Sequence, residues 1–135
     1  MTHASVELVR APQLTDQVPY AYAAVATGSR TVFTAGACPV DENDDVVCPD
    51  DLTGQARQVM ANLEAALHAS GATLHSVLKT TVYVATDRRE DLLAAWEVVR
   101  AAFGDHDAPS TLLGVTLLGY TGQLVEVEAI AVRDA

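Results

Sequence analysis

Basic side chains are scarce in this chain. One lysine, Lys79, and seven arginines face 18 acidic residues in a length of 135, for a formal charge of −10. Such a surface has no basic patch with which to displace counterions from a phosphate backbone, so nucleic acid is excluded as a favoured partner. Cysteine is limited to Cys38 and Cys48. Two cysteines do not make the dense disulfide framework of small secreted domains, and free thiols are expected. No apolar run approaches the roughly 18 to 20 positions of a membrane span. Met1-Thr2-His3-Ala4-Ser5 has neither the basic start nor the apolar block of a signal peptide, which gives a cytoplasmic reading. Phosphate-cradling loops are missing as well: there is no G-x-x-x-x-G-K-[ST], and no G-x-G-x-x-G opens a helix, which disfavours nucleotide-driven chemistry.

What remains is an ordinary globular composition, 50% hydrophobic. The length suits one domain, 1–135, with a real core, although about a third of the unfolded surface stays exposed at this size. Composition does not shift along the chain, so no linker is expected. Alternating or β-branched stretches predict strands at Ser5 to Arg10, Tyr20 to Thr27, Thr31 to Ala35, Thr80 to Ala85, Thr111 to Leu117 and Gln123 to Val132. Ala56, Val59, Met60, Leu63, Ala66 and Leu67 recur at helical spacing, with Asp51 or Thr53 to cap the start and Gly71 to end it. A second stripe, Leu92, Trp96, Val99 and Phe103, follows Asp87 and Glu90 at capping-box spacing and stops at Gly104.

Two helices able to cover one face of one mixed sheet define an α+β layer fold. The last strand shows that the other face needs covering too. Val125, Val127, Ala129 and Ala131 point one way; Leu124, Glu126, Glu128, Ile130 and Val132 point the other, too apolar a set to leave wholly wet. Burial between subunits follows.

Several groups could carry chemistry. Asp41-Glu42-Asn43-Asp44-Asp45 starts like a calcium loop, but Val46 stands where the turn needs glycine and Leu52 where the bidentate glutamate belongs, so it reads as a solvated hairpin loop. Asp105-His106-Asp107 has no second histidine at metal spacing and reads as a polar loop; no metal is expected. Cys38, in Gly36-Ala37-Cys38-Pro39, has no base or cation beside it in sequence and reads as a packed thiol. Lys79 precedes a buried strand, where an amine can serve Schiff-base chemistry, but such side chains usually reach solvent. Trp96 suits the core better than a pocket wall. Glu126 and Glu128 lie about 6.6 to 7 Å apart on one strand face. A carboxylate shielded from water there can take a proton from a water molecule, as general-base catalysis requires; the competing reading is a solvated sheet face.

In order along the chain, Thr34-Ala35-Gly36 with Pro39-Val40, Gln55-Ala56-Arg57-Gln58, Val77-Leu78-Lys79-Thr80-Thr81-Val82-Tyr83-Val84 and Val125-Glu126-Val127-Glu128-Ala129-Ile130-Ala131-Val132 resemble the signatures of the RidA/YjgF family of imine and enamine deaminases. The resemblance implies a chorismate-mutase-like fold in a homotrimeric barrel, a small-molecule ligand in each intersubunit cleft, and no cofactor. Carried over by residue, it gives Glu126 the placing of the attacking water. Tyr20 in Val18-Pro19-Tyr20 matches the pocket tyrosine, with Tyr22 as a nearby alternative. Ala35 and Gly36 line the cleft, Ala35 standing where the family has serine, and the family's helix asparagine falls near Trp96. The arginine that clamps a substrate carboxylate becomes Ser110 or Thr111, depending on alignment. A hydroxyl cannot replace a bidentate guanidinium, whose loss costs on the order of a few kcal/mol; Arg30 or Arg88 of a neighbouring chain would be the compensating cations. The resulting expectation is an imine or enamine hydrolase acting on something other than a simple 2-imino acid, with Tyr20, Ser110 and Thr111 orienting a neutral ligand against Trp96. The alternative is a non-catalytic metabolite-binding trimer. Ribonuclease activity is disfavoured by charge.

Overall fold

The structure is a computed structural model and describes residues 6–28 and 30–133. Ser5, expected in the first strand, and the rest of the N-terminal pentapeptide lie outside the described residues. Among the described residues six strands and two helices follow one another: β1 (Val6–Val9), β2 (Ala23–Ala26), β3 (Arg30–Phe33), α1 (Leu52–Ala69), β4 (Val77–Ala85), α2 (Arg89–Phe103), β5 (Ser110–Val115) and β6 (Val125–Arg133), with a 3-10 turn at Leu74–Ser76.

The strands form two sheets rather than the single one expected. β1 and β2 pair only with each other, and the remaining strands lie in the order β3-β6-β4-β5. The β1–β2 ribbon stays apart because its chain is diverted early. The Arg10 guanidinium takes the carbonyls of Val18 and Tyr20 at 3.1 and 2.5 Å, and Ala21 N–H donates to Asp107 O. Those groups are lost to any ladder, so the strand predicted from Tyr20 begins only at Ala23. In the main sheet β4 and β5 run parallel, joined through α2, while β6 is antiparallel to both β3 and β4.

α1 forms where its stripe predicts. Asp51 Oδ1 accepts from Gly54 N–H at 3.0 Å, and Val59, Leu63 and Leu67 are fully buried. Its end is a Schellman motif: Gly71, at φ +79°, donates to His68 O, and Ala72 donates to Leu67 O. α2 departs from expectation at its start. Asp87 does not cap it; Arg88 is the N-cap residue, with no side-chain cap bond, and Thr86 organises the turn by accepting from Arg88 N–H at 3.0 Å and donating to Asp91 at 2.7 Å. Glu90, free of a capping box, pairs with Arg88 at 2.7 Å.

Both helices pack on one face of the main sheet, where Val82, Val84, Val125, Val127, Ala129 and Ala131 are buried. Truncating a large apolar side chain of the helices that is buried against them, such as Leu63 to alanine, typically costs about 2–5 kcal/mol. The opposite face carries Phe33, Thr81, Tyr83, Thr111, Leu113, Glu126, Glu128 and Ile130 by register. No element of the described chain covers Phe33, which remains 74% exposed. No helix among the described residues is long and apolar enough to cross a membrane.

Candidate active site

Glu126 owes its setting to an irregularity between β3 and β6. Phe33 is paired with Ile130, and Ala37 with Val127, so four steps on one strand match three on the other. The extra residue makes a bulge, and Thr34 fills the gap by lending its Oγ1 to Ala129 N–H at 2.9 Å. The bulge sets Gly36 directly against the Glu126 carboxylate. A Cβ at position 36 would overlap Oε2.

The other carboxylate oxygen is held by two donors. Gln123 Nε2 donates to Glu126 Oε1 at 3.1 Å, and the Cys38 thiol donates to the same atom at 3.4 Å. Cys38 is itself fixed through its backbone, since Asn62 Nδ2 from α1 donates to Cys38 O and Val40 O at 2.7 and 2.9 Å. Burial, then the Glu126 charge, push the Cys38 thiol above its ordinary value, so it is a neutral donor at physiological pH. Glu128 is engaged separately, accepting from Tyr83 OH at 3.0 Å; that hydrogen bond is the leading cause of a raised Tyr83 pKa. The two glutamates thus have different environments despite their shared face.

The other predicted positions fall elsewhere. Thr111 is on the open face, and Lys79 Nζ donates to its Oγ1 at 2.5 Å. An ammonium therefore stands beside one of the two positions aligned with the arginine. By register Thr111 is opposite Thr81, and Thr81 opposite Glu128. Glu126 is thus two strands across and two residues along, about 12 Å from Thr111 at standard sheet spacings. Ser110 points to the helices and accepts from Thr80 Oγ1 at 2.7 Å. Trp96 also lies on that side, packed against the core beside a cleft of ≈ 10 Å³ bordered by Pro19, Thr80 and Phe103, room for about one water. Tyr20 is half-buried before β2, with its ring edge-on to Tyr22 at 5.9 Å. Ala35 is exposed next to Gly36. Within one chain, then, Gly36 and Glu126 meet, whereas Ser110, Thr111, Trp96 and Tyr20 do not join them.

The groups weighed for metal chemistry have other work. Asp41 accepts from the backbone N–H of Asn43 and Asp45, closing the acidic turn on itself. Asp107 pairs with Arg10 at 2.7 Å, Asp105 with His75 at 3.0 Å, and the buried His106 places Nε2 2.8 Å from Val77 O. Sequence reasoning missed Gln123 and Asn62, because neither has a local pattern that distinguishes it from any polar residue near an element end.

A two-helix α+β layer with a mixed sheet and a braced carboxylate on the open face defines the class. The Endoribonuclease L-PSP family model matches residues 12–133, and the chain belongs to this family, the RidA/YjgF/UK114 family. A RutC family protein of Pyrococcus horikoshii is 33% identical over 86% of this chain and 88% of its own. The 2-iminobutanoate/2-iminopropanoate deaminase of Salmonella typhimurium is 32% identical over 76% of this chain and 79% of its own. Among solved structures, YyfB of the conserved Rid family from Yersinia pestis superposes with a TM-score of 0.88 at 28% identity, covering 95% of this chain and 98% of that one. Escherichia coli TdcF with bound serine gives 0.67 at 28% identity, covering 95% and 99%.

Proposed function

We propose that the protein hydrolyses a small, reactive imine or enamine, with Glu126 taking the proton from the attacking water in a cleft between subunits. The observation that carries this reading is the bracing of Glu126. Its Oε1 accepts from Gln123 and Cys38, and its Oε2 lies over Gly36 on the open sheet face. Water attacks the imine carbon as its proton passes to Oε2 and from there to the imine nitrogen. The carbinolamine then transfers its hydroxyl proton to the amine by the same carboxylate, the C–N bond breaks, and ammonia leaves with a carbonyl product behind. The relative named as a 2-iminobutanoate/2-iminopropanoate deaminase supports the reaction class.

A single chain leaves the site half-built. Glu126 and Thr111 are too far apart to grip one small molecule, and Phe33 and Leu113, on the two edge strands, leave apolar surface uncovered on the open face. A homotrimeric barrel of the chorismate-mutase-like kind brings the Glu126 end of one sheet against the Thr111 end of the next and buries that surface. Thr111 and the Lys79 ammonium offer a hydroxyl and a point charge without a guanidinium fork, so simple 2-imino acids bind poorly and the preferred substrate does not depend on a carboxylate clamp. RNA is disfavoured by the charge of −10 and by the two glutamates on the open face.

One feature favours a second reading, a metabolite-binding trimer without turnover: Ala35 stands where the family pattern has serine, and Ser110 or Thr111 where it has arginine. Glu126→Gln separates the two. Ammonia release from freshly generated imines, with and without a carboxylate, should fall about 10²–10⁴-fold. Unchanged release in the variant refutes Glu126 as the base, and no release from the native protein with any imine supports the binding reading.

A further inference from the structure

Gln123 is 3% exposed, yet every polar atom of its side chain is engaged. Its Oε1 accepts from Tyr120 N–H at 3.1 Å, and Nε2 donates to Val125 O and Glu126 Oε1, each at 3.1 Å. These partners fix which end of the amide is which. A flipped amide would face NH₂ against an N–H and an oxygen against two acceptors. The side chain is therefore locked by backbone on two sides and spends its remaining hydrogen on the carboxylate.

The two oxygens of Glu126 are not equivalent. Oε1 has an N–H and an S–H donor; no hydrogen bond to Oε2 is found among the described residues, and the missing side chain of Gly36 leaves space for it. Oε2 thus keeps its lone pairs for a water. Resting on the hydrolase reading above, we infer that Gln123 is the positioning residue of the site, holding Glu126 by Oε1 so that Oε2 is the atom that receives the proton, with Cys38 as a secondary brace. Gln123 touches no substrate in this role. It acts through Glu126.

Two measurements test this. Gln123→Met keeps length and bulk but removes the donor. Ammonia release should lose about 10–100-fold in kcat with KM within about threefold, the signature of an interaction made in the transition state rather than in substrate binding. Cys38→Ser should cost less than about threefold, because Gln123 still holds Oε1. If the Met variant does not fold, Gln123→Asn leaves the buried site polar but is one methylene too short to reach Glu126.

The second measurement needs no turnover. The groups acting on the Cys38 thiol are Glu126 and Asp44, which raise its pKa, and Gln123, which lowers it. Removing the Glu126 charge lowers the pKa, though burial, the larger cause of its elevation, remains; at pH 8 more thiolate is then present and alkylation by iodoacetamide should accelerate severalfold, with exposed Cys48 as internal reference. In the Gln123→Met background the same Glu126→Gln change should accelerate it less than twofold, because the carboxylate is no longer held there. Native kcat in Gln123→Met, or equal accelerations in the two backgrounds, overturns the assignment. Full turnover in Glu126→Gln would instead refute Glu126 as the base, and the alkylation comparison would still decide whether Gln123 holds Glu126.

Discussion

Replacing Gly36 with alanine tests the site at the point where backbone and chemistry touch. Gly36 does not have a positive φ, so alanine brings no backbone strain of the kind expected at Gly71 or Gly104. The whole effect comes from one methyl group, which would occupy the place of Glu126 Oε2 and crowd its Cδ and Cγ. The carboxylate must rotate away and give up its bonds from Gln123 and Cys38. Hydrogen bonds to a charged group are worth about 1.5–3 kcal/mol each, and a displaced base sacrifices about half of that pair in the transition state. About 1.5–3 kcal/mol corresponds to a rate loss of roughly 10- to 150-fold. Stability should suffer comparably, about 1–3 kcal/mol for a single overpacked methyl group. The assay is ammonia release at saturating imine, beside thermal melts of both proteins. In a Glu126→Gln background the same substitution should cost less than about threefold, since the group it displaces no longer acts. A Gly36→Ala protein with native kcat would show that the carboxylate need not occupy this place, and the account of Glu126 would fail.

Other substitutions probe other links. Thr111→Arg restores a guanidinium at one of the candidate clamp positions, and kcat/KM for 2-iminopropionate should rise about 10–100-fold, mainly through KM; no change would show that this position does not meet the substrate. Gln55 is fully buried and joins three segments, donating to Cys48 O and Gly122 O at 3.2 and 3.1 Å and accepting from Leu124 N–H at 2.8 Å. Gln55→Leu strands those backbone groups at about 1–3 kcal/mol each, and the urea midpoint should fall sharply; a loss under about 1 kcal/mol would mean that water replaces the side chain without penalty.

The layer architecture was legible because it rests on periodicity. The α1 stripe from Ala56 to Leu67 and the alternation along Val125 to Ala131 each place apolar atoms on one side, and burial follows directly. Strand ends were less legible. Tyr20 has the side chain of a strand residue, yet its carbonyl is taken by Arg10, ten positions away. The α2 cap misled for a similar reason: Asp87 and Glu90 have capping-box spacing, but Thr86, one residue earlier, made the competing hydrogen bonds.

The site divides along the same line. Glu126 could be singled out from the sequence because a carboxylate within an apolar strand is conspicuous, and the ordered family signatures pointed to it as well. Its partners could not. Cys38 lies 88 positions away, and no rule of spacing joins a thiol after β3 to a carboxylate on β6. The β3 bulge that brings them together exists only once the strands have paired.

The order of residues by itself determined the helices and most strands, the face that the helices cover, and the acidic character of the chain, because propensity, periodicity and charge are local or additive properties. Tertiary structure alone decided which oxygen of Glu126 is held, that Ser110 and Trp96 face the helices, and that Thr111 stands beside Lys79. Those facts depend on register and on contacts between segments far apart in the chain, where a shift of one residue sends a side chain to the opposite face.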